Sequence, residues 1–552
     1  MSIDLIISLF GGLGLFLFGM RLMGDGLEHA AGPKLKHFLS AMTSNRFIAM
    51  LTGLCVTAII QSSGATTVMV VGFVNAQLLT LSQSIGVTIG ANIGTTVTSL
   101  LLSIPFDPGA LFALLGMTLT LCFGRRETVR QTGYVFTGLG ILFIGMTMMS
   151  NAMEPLRENA LFISVMQTVT NPFLGVMVGM LITALLQSSS VSVGILQTLS
   201  ISGLITTEGA FYLLLGANVG SCVPCLLAMA GTRADAKRAA VSNLLFSLVK
   251  VVLFLTLSAF LPLTRWAETL VPGNPKLCIS FMHISINVVT AIVVMPVADL
   301  IIRLATVLVP EGKATADNEL KLHFYDERLL KTPAIAAEQL YKEICRMGEN
   351  AIEHFQLALH VLCTLDFAEE KNIEAREELS DFLEDAITEG LVSVMSLDIS
   401  EHESRKIGHL FHIVNDLERI SDHAMNLMSL SKERQERNAR FSDKAMEELE
   451  DLGGHVVHLL KNALRGLEDW QVSTAEMGAV EAEEELVDEL TEALRNRHIN
   501  RLKEKKCAPK SGVVFLESIN NLERVADHAT NVAACAQEAS KLHVHPTEES
   551  LA

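Results

Sequence analysis

Charged residues are scarce in the first 310 residues of this 552-residue chain. This part contains 15 Lys and Arg and 11 Asp and Glu, whereas the remainder contains 27 and 49. Long apolar segments without charge are typical of membrane helices, and charged sequence with apolar residues at helical spacing is typical of soluble helices. The two parts carry net charges of +4 and −22, and the acidic excess of the second argues against nucleic acid as a partner.

The sequence also lacks the motifs of several protein classes. Its nine cysteines do not follow the spacing of disulfide-rich secreted domains, which favours reduced thiols. Cys222 and Cys225 form a CxxC motif inside an apolar segment, not at the strand-to-helix turn of a redox fold. We find no nucleophile–base pair and no nucleotide-binding glycine loop, so we predict that the chain is not an enzyme. The apolar segment 3–20 has neither a preceding basic region nor a small-residue cleavage site, and we interpret it as a retained membrane segment.

Seven apolar segments are long enough to predict membrane crossings. They are residues 3–20, 84–102, 109–124, 132–150, 210–230, 239–261 and 279–302. Two further regions each consist of two shorter apolar arms around a polar tip: arms 47–60 and 65–79 flank residues 61–64, and arms 173–186 and 191–205 flank residues 187–190. This pattern predicts re-entrant helical hairpins, whose polar tips are tolerated only inside protein or facing a water-filled cavity.

Lys and Arg residues in the loops predict the orientation in the membrane. Three loops together contain ten of them: Arg21, Lys34, Lys36, Arg46, Arg125, Arg126, Arg130, Arg233, Lys237 and Arg238. The loops on the other side contain three: Arg157, Arg265 and Lys276. Because cytoplasmic loops are enriched in Lys and Arg, we predict that the N-terminus lies outside and the C-terminal part lies in the cytoplasm.

A shift of 126 residues superimposes the two polar tips. Residues 61–63 and 187–189 both read Gln-Ser-Ser, and the segment Gly-Ala-Asn-Ile-Gly-Thr at 90–95 falls on Gly-Ala-Asn-Val-Gly-Ser at 216–221. The repeats cover about 45–102 and 171–230. An odd number of predicted crossings separates them, so we expect the copies to be inverted. Inverted repeats with broken helices are typical of secondary transporters, which bind substrate near the membrane midplane.

The repeated tips predict an anion site. We expect a new helix to begin after each tip, near Ala65 and Val191, with its unpaired N–H groups facing the cavity. Two such helix starts would each bring about half a positive charge. The polar side chains that accompany them are Gln61, Ser62, Ser63, Thr66, Gln187, Ser188, Ser189, Ser190 and Ser192. These donors suit a tetrahedral oxyanion, because each oxygen can accept from a different group.

A cation is expected to accompany the anion, since no Lys or Arg is evident in or beside the tips. The second repeated motif has glycine on both sides of Asn92 and of Asn218, which favours unwinding of the helix and exposure of carbonyl groups to a small cation. The candidate ion-binding residues are Asn92, Thr95, Thr96, Asn218 and Ser221. We predict sodium co-binding, with protons as the alternative. Close helix packing is the competing interpretation of these small and polar residues.

Lys250 lies well inside the apolar segment 239–261, and ionisable residues within membranes are candidates for function. Three roles stay open from the sequence: contact with the substrate, pairing with a carbonyl group, or extension of the side chain toward the membrane surface. His283 and Asn287 lie one turn apart on the last predicted crossing, and contacts between helices are their expected role.

The C-terminal part predicts a soluble helical domain at 331–545 after a linker at 306–330. Residues 415–426 match residues 520–531, so we predict two similar three-helix bundles. In each copy Glu and Asp lie four residues apart on one helix face, as Glu418 and Asp422 and as Glu523 and Asp527. Such neighbouring charges need compensation, either from a metal ion, or from the arginine at the next position acting from another helix and hydrogen bonds within the bundle.

Taken together, the paired Gln-Ser-Ser tips and their Gly-Ala-Asn-(Ile/Val)-Gly partners resemble the sodium/phosphate cotransporter family over about residues 1–305. The second half looks like a PhoU domain, whose bundles carry Glu-x-x-x-Asp motifs. The combination resembles the bacterial form of the family with a fused PhoU-like domain. Gly64 stands where the second copy has Ser190, which is a departure from the fuller Gln-Ser-Ser-Ser tip.

The resemblance implies an all-α protein whose membrane domain has inverted repeats and two re-entrant hairpins. It implies sodium-coupled transport of inorganic phosphate, inward or outward, across the lipid bilayer of a bacterial cytoplasmic membrane. It also implies regulation by the PhoU-like half, with a metal at Glu418, Asp422, Glu523 and Asp527, and it leaves room for a homodimer and for a regulatory protein partner. The alternatives are a membrane-bound phosphate sensor and a carrier of another oxyanion such as sulfate or arsenate.

Overall fold

The computed structural model describes residues 3–31, 45–104, 107–124, 126–159, 164, 166, 168–310, 320–397, 399–468, 472–504 and 506–544. Throughout these ranges the regular structure is helical, and none of the described residues is in a strand. The chain forms two compact units, Met1–Lys313 and Ala314–Ala552. Three of the predicted cytoplasmic cations, Lys34, Lys36 and Arg125, lie outside the described residues, as does part of the predicted linker.

The first unit is built from helices that follow the predicted segments. They are α1 Ile3–Ala31, α2 Arg46–Ile60, α3 Ser63–Asn75, α4 Leu81–Leu102, α5 Gly109–Phe123, α6 Glu127–Met153, α7 Pro172–Leu186, α8 Ser189–Ile201, α9 Thr207–Gly220, α10 Val223–Ala228, α11 Ala234–Phe260, α12 Leu263–Leu270, α13 Pro275–Val294 and α14 Ala298–Leu308. Short 3₁₀ turns lie at Glu154–Glu158 and Met295–Val297.

Six helical stretches in the described part of this unit have the length and apolarity to cross a membrane. They are Ile6–Leu27, Leu81–Leu102, Thr128–Leu156, Thr207–Ala228, Ala234–Phe260 and Pro275–Leu308. Large apolar side chains also point outward, as Leu185 does at 76% exposure, which suits contact with lipid. The predicted crossing at 109–124 differs, because α5 has only 15 residues. At 1.5 Å per residue it spans about 22 Å, less than the ~30 Å of the hydrocarbon core.

Two helical hairpins form where they were predicted, from α2 and α3 and from α7 and α8. Asn45 and Asn171 cap the first arms, each accepting a hydrogen bond of 3.0 Å from the backbone N–H two residues on. The second arms begin at Ser63 and Ser189, two residues before the predicted starts. Every one of these positions is related to its counterpart by the shift of 126 residues, so the repeat in sequence is a repeat in structure.

The first arm of each hairpin packs closely along the next long helix of its repeat. A Cβ atom on Gly90 of α4 would lie 1.9 Å from the Met50 carbonyl oxygen of α2, and one on Gly216 of α9 would lie 2.0 Å from the Val176 carbonyl oxygen of α7. Since real Cβ atoms are never so close to a carbonyl oxygen, only glycine fits at these two crossings. The repeated glycines of the motif therefore serve helix packing, which was the alternative interpretation of them.

The long helices of the two repeats run in opposite directions. α9 is antiparallel to α11, because Cys222, just after α9, contacts Ser247, whereas Phe211 near its start contacts Phe254. α4 is antiparallel to α13, since Ser99 near the end of α4 accepts a hydrogen bond from Ser280 near the start of α13, and the beginning of α4 clusters with the end of α13.

α11 is also antiparallel to α13. Phe246 clusters with Val294 at the end of α13, and the later part of α11 clusters with Cys278 and Ile279 at its start. α4 therefore runs parallel to α11, and α9 runs against both. The predicted inversion of the two copies is confirmed.

The second unit consists of two three-helix bundles, as predicted. The first contains α15 Pro333–Thr364, α16 Glu370–Met395 and α17 Glu401–Glu436, and the second contains α18 Asp443–Glu468, α19 Thr474–Lys503 and α20 Pro509–Val544. Two reciprocal contacts join α17 to α20. The His423 Nδ1 atom lies 2.8 Å from Asn521 Oδ1, and the His528 Nδ1 atom lies 2.8 Å from Asp416 Oδ1. Because the two pairs are related by the shift of 105 residues, the bundles pack about a local two-fold axis.

Candidate functional site

Each polar tip is a sharp bend between two helices. Gln61 ends α2 and Gln187 ends α7, both in the left-handed conformation, with φ of 58° and 53°. The next residue begins the second arm, because the Ser62 hydroxyl accepts a hydrogen bond from Ala65 N (3.1 Å) and the Ser188 hydroxyl accepts one from Val191 N (3.4 Å). A non-glycine residue with positive φ is uncommon, and its occurrence at both tips marks a constrained backbone.

Buried hydroxyl pairs hold the two arms of each hairpin together. Thr57 donates to Thr66 over 2.9 Å in the first hairpin, and Thr183 and Ser192 lie 2.7 Å apart in the second. Thr66 and Ser192 also donate to the carbonyl groups of the serines that cap their helices. These two predicted site residues thus fix the shape of the tips.

The two tips lie against one another. A Cβ atom on Gly64 of the first tip would be 3.8 Å from the carbonyl oxygen of Gln187 in the second tip and 3.7 Å from Pro224 Cγ. Ser189 and Ser190 are buried in the same region, whereas Ser62, Ser63 and Ser188 are partly exposed. The structure therefore brings both predicted sets of tip residues together.

The glutamines of the two tips have different surroundings. Gln61 is buried, its Oε1 atom accepts a hydrogen bond of 2.7 Å from Thr98 of α4, and its Nε2 atom donates to the Ala58 carbonyl. Gln187 is exposed. The residue that corresponds to Thr98 at the shift of 126 is Pro224, which has no hydroxyl group to donate.

Pro224 also changes the course of the second repeat. α9 ends at Gly220, and α10 begins at Val223 with Pro224 in its first turn. The predicted crossing at 210–230 is therefore interrupted at Ser221 and Cys222, between α9 and α10. In the first repeat α4 continues without a break, and the Thr95 and Thr96 hydroxyls donate to the Ala91 and Ile93 carbonyls. The expectation that the helix unwinds at Asn92 and at Asn218 is wrong, because both residues lie within continuous helix, and the break in the second repeat comes after Gly220.

Lys250 lies between the two repeats. Its Nζ atom donates to the side-chain oxygens of Asn92 (2.5 Å), Asn287 (2.8 Å) and Asn218 (3.1 Å), and the side chain is fully buried. The ring of Phe246 adds a cation–π contact at 4.6 Å. This cation beside the candidate site could not be predicted from the sequence, because Lys250 lies 158 positions from Asn92 in the chain. Of the three open roles, pairing with carbonyl oxygens is the one observed, although the oxygens belong to side chains.

A buried hydrogen-bond network continues from Lys250 to α8, the second arm of the second hairpin. The Ser99 carbonyl accepts hydrogen bonds from Ser280 (2.6 Å) and Gln197 (3.0 Å), and the Ser99 hydroxyl lies 3.2 Å from His283 Nδ1. The Asn287 amide donates to the His283 carbonyl. These contacts join α4, α8 and α13, as expected of His283 and Asn287. Sequence reasoning missed Thr98, Gln197 and Ser280, since single polar residues in apolar helices carry no spacing signal.

The acidic motifs of the second unit fall in two places. Asp527 forms a cluster with Glu484 and Asp488 of α19, with carboxylate oxygens within 4.8 Å of one another. Glu523 instead pairs with Arg495 at 3.0 Å. In the first bundle, Asp422 lies 2.9 Å and Glu418 lies 3.5 Å from Arg419. Arg419 thus compensates part of the charge of Glu418 and Asp422. Of the four predicted metal ligands, Asp527 is the one that lies in a cluster of three carboxylates in the described part of the chain.

A second acidic motif faces each predicted one. Glu377 and Asp381 lie on α16, and Glu484 and Asp488 occupy the comparable place on α19. Burial, followed by the charges of Asp381, Asp422 and Glu418, raises the pKa of Glu377 to about 7. Burial and the neighbouring carboxylates also raise the pKa values of Glu484 and Asp527. Glu377 and Asp381, like Glu484 and Asp488, are spaced four apart in the sequence, but both pairs lie outside the repeated segments 415–426 and 520–531.

Comparison with known protein families agrees with this geometry. The family model described as Na+/Pi-cotransporter matches residues 15–151 and 144–291, which are the two inverted halves of the first unit. This chain belongs to the Na+/Pi-cotransporter family. The PhoU domain model matches residues 344–430 and 449–536, which are the two bundles. The chain is thus a multi-pass membrane protein of a phosphate transporter family with a fused PhoU domain.

Individual relatives cover most of the chain or one of its units. A Salmonella typhimurium protein named "Putative inorganic phosphate export protein YjbB" is 27% identical over 464 residues, covering 83% of this chain and 84% of that protein. The Bacillus subtilis protein YqeW, described as uncharacterized, is 32% identical over 53% of this chain and 95% of its own length. The crystal structure of PhoU from Pseudomonas aeruginosa matches 37% of this chain and 97% of its own, with 19% identity and a TM-score of 0.35.

Proposed function

We propose that this protein carries inorganic phosphate across the membrane together with sodium, and that phosphate binds where the two tips meet. The close approach of Gly64 to the Gln187 carbonyl carries the proposal, because it brings the first turns of α3 and α8 to one place. The N-termini of helices are favourable anion sites, since their N–H groups are unpaired and their dipoles are positive there.

The tip residues divide the work of binding phosphate. In each tip, the hydroxyl of the capping serine, Ser62 or Ser188, accepts a hydrogen bond from the backbone N–H group three residues later, and its carbonyl accepts one from the residue four positions later. The backbone N–H groups of Ser63, Gly64, Ser189 and Ser190 precede these first helical hydrogen bonds. We assign these backbone N–H groups as donors to phosphate, together with the hydroxyls of Ser63, Ser189 and Ser190 and the side-chain amide of Gln187. Gln61, Ser62, Thr66, Ser188 and Ser192 shape the tips around it.

Sodium offsets the charge of the phosphate. Two helix starts supply about one positive charge in total, which is less than a phosphate brings when it carries two negative charges. Sodium prefers oxygen ligands, and Pro224 at the break between α9 and α10 has no N–H group to donate to the Gly220 carbonyl four residues earlier, which leaves that oxygen for an ion beside Asn218 and Ser221. In the first repeat, the Thr95 and Thr96 hydroxyls donate to helix carbonyls and keep their oxygen lone pairs for an ion, while the Asn92 side-chain oxygen accepts from Lys250.

We place the protein in the bacterial cytoplasmic membrane, with the N-terminus outside and the PhoU domain in the cytoplasm, because the described basic loops then lie on the cytoplasmic side. The PhoU domain regulates the flux through a divalent cation at Glu484, Asp488 and Asp527, whose carboxylate-only donors suit a hard ion. Equivalent carboxylates in the first bundle are Glu418 and Asp422, with Glu377 and Asp381. A second copy of the chain or a regulatory protein is the expected partner of this domain.

Flux of labelled phosphate into and out of proteoliposomes tests the proposal. We expect flux to follow an imposed sodium gradient and to stop when potassium replaces sodium. Gln187→Ala should lower the initial rate by at least about tenfold, the effect of losing one charge-assisted hydrogen bond to phosphate. Gln77→Ala is the matched control, because Gln77 is also left-handed, with φ of 58°, but lies in the turn after α3.

Each alternative function gives a different result in the same assay. Phosphate binding without flux in either orientation would contradict transport and indicate a sensor. Flux that excess sulfate or arsenate inhibits more strongly than unlabelled phosphate does would indicate another oxyanion. Flux driven by a proton gradient at constant sodium would contradict sodium coupling.

A further inference from the structure

The side-chain oxygens of Asn92, Asn218 and Asn287 form an oxygen cage around a single point, and we call it the asparagine cage. Each asparagine donates its own amide N–H to the carbonyl group four residues earlier in its helix, at Thr88, Leu214 and His283, over 2.8 to 2.9 Å. The oxygens of α4, α9 and α13 are thereby turned inward. Oxygen atoms from several elements that converge on one point are the usual ligands of a small hard cation.

The occupant of the cage is the Lys250 side chain, and the three oxygens suit its ammonium form. An ammonium group has three N–H donors and no acceptor, which matches three oxygens at 2.5, 2.8 and 3.1 Å. A neutral amine has two donors and would turn its lone pair toward the third oxygen. Among the described residues, none of the carboxylates pairs with this ammonium group, so its charge is not cancelled locally.

We propose that Lys250 is a tethered cation that takes the place of one transported sodium ion, so that the protein itself supplies part of the charge that balances phosphate. This inference rests on the proposed function and deepens it. Asn92 and Asn218 are equivalent in the inverted repeats, so the charge lies between the two halves of the molecule. All three N–H donors are used by the cage, and Lys250 therefore acts on phosphate through its electric field without direct contact.

The consequence is a specific difference between two substitutions. Lys250→Ala empties the cage and leaves three oxygens for sodium, whereas Lys250→Met fills it with an uncharged chain of similar length. We expect the KM for phosphate in the Met variant to rise about tenfold or more at every sodium concentration, because one unit charge is lost in a low-dielectric interior. In the Ala variant, the same rise should disappear at high sodium, and one more sodium should be transported per phosphate than in the unchanged protein.

The experiment uses the full chain in proteoliposomes. Sodium-to-phosphate ratios are obtained from the gradients at which net flux vanishes, and binding of radiolabelled sodium without phosphate is measured on the purified protein. An extra bound sodium in Lys250→Ala but not in Lys250→Met supports the proposal. Equal sodium counts in the two variants would overturn it. Absence of sodium dependence in the unchanged protein would instead defeat the proposed function, while the binding measurement would still decide the role of Lys250.

A second variant covers the case in which neither lysine substitution yields a monodisperse protein. Asn287→Asp keeps Lys250 and places a carboxylate beside its ammonium group, which cancels the charge in place. We expect the KM for phosphate to rise about tenfold, as for the Met variant. An unchanged KM in a folded Asn287→Asp protein would show that the charge of Lys250 plays no part in binding phosphate.

Discussion

The two polar tips have the same Gln-Ser-Ser sequence and the same backbone, yet their glutamines differ. Gln61 is buried against Thr98, whereas Gln187 is exposed and has Pro224 at the matching position. The backbone of a tip is therefore set by its own residues, and the surroundings of its glutamine are set by a residue 37 positions later. An inverted repeat can thus bring two like tips to one ligand while holding one of them more firmly than the other.

The two PhoU bundles show a similar difference between copies. In the first, Glu377 is close to buried His354, with 3.7 Å between Oε2 and Nδ1. Burial, and then the charge of Arg376, lowers the pKa of His354 to about 4, so this histidine is neutral and does not offset the carboxylates. In the second, Glu484 joins a cluster that is more open to solvent. As in the tips, the two copies share the motif itself and differ in the residues that surround it.

Removing each tip glutamine in turn is the strongest test of the comparison between tips. Gln61→Ala leaves the buried Thr98 hydroxyl without its acceptor, at a cost of about 1–3 kcal/mol, so the melting temperature in detergent should fall. Gln187→Ala should leave it nearly unchanged. Because both variants place alanine at a position with left-handed backbone conformation, any free-energy cost of that conformation is the same in the two and cancels in the comparison. Equal melting temperatures would mean that the contact with Thr98 does not stabilise the first tip.

Glu377→Gln and Glu484→Gln test the comparison between bundles. The pKa of Glu377 is raised to about 7, above the ordinary value of 4.5. Protonated Glu377 therefore contributes its full stabilisation of the folded state below pH 4.5. As the pH rises to about 7, this contribution to the free energy of unfolding is lost, by about 1–3 kcal/mol. Thermal unfolding of the full-length protein in detergent at pH 5 and pH 8 should show this loss, and Glu377→Gln should reduce it. Glu484→Gln should do so less, and the reverse order would contradict the comparison.

Pro224→Thr should make the second tip more like the first. A threonine at this position restores the counterpart of Thr98 and removes a residue that interrupts the helix. We expect Gln187 to become less exposed and phosphate flux to slow by about threefold to tenfold, through stabilisation of about 1 kcal/mol from one new hydrogen bond. Initial rates in proteoliposomes measure this. A Pro224→Ala variant separates the lost ring from the gained hydroxyl, and an equal rate in both would exclude a role for the hydroxyl.

Gly64→Ser should have the smallest effect. It gives the first tip the serine of the second, and the nearest atoms to the new Cβ would be 3.7 Å or more away. At such ordinary contact distances we expect stability to change by less than about 0.5 kcal/mol and flux by less than about twofold. A large loss of flux would show that the close approach of the tips depends on the missing side chain.

The sequence predicted the backbone of the site well because its signals are local. Asn and Ser caps, a polar tip and short apolar arms each determine the structure within a few residues. The partners of the site could not be predicted in this way. Lys250 meets three asparagines from three other helices, and one of them, Asn287, lies outside the repeated motif. The pairing of Thr98 with Gln61 depends likewise on how α4 packs against α2, which no spacing reveals.

The glycine crossings at Gly90 and Gly216 have a mechanical consequence. Where backbones touch, two helices cannot slide without collision, so α2 with α4 and α7 with α9 behave as two stiff blocks. Any opening of the pathway must then occur along the seam between the blocks. The Lys250 side chain of a fifth helix, α11, bridges that seam between Asn92 of α4 and Asn218 of α9, and its four methylene groups can follow both halves as they move apart.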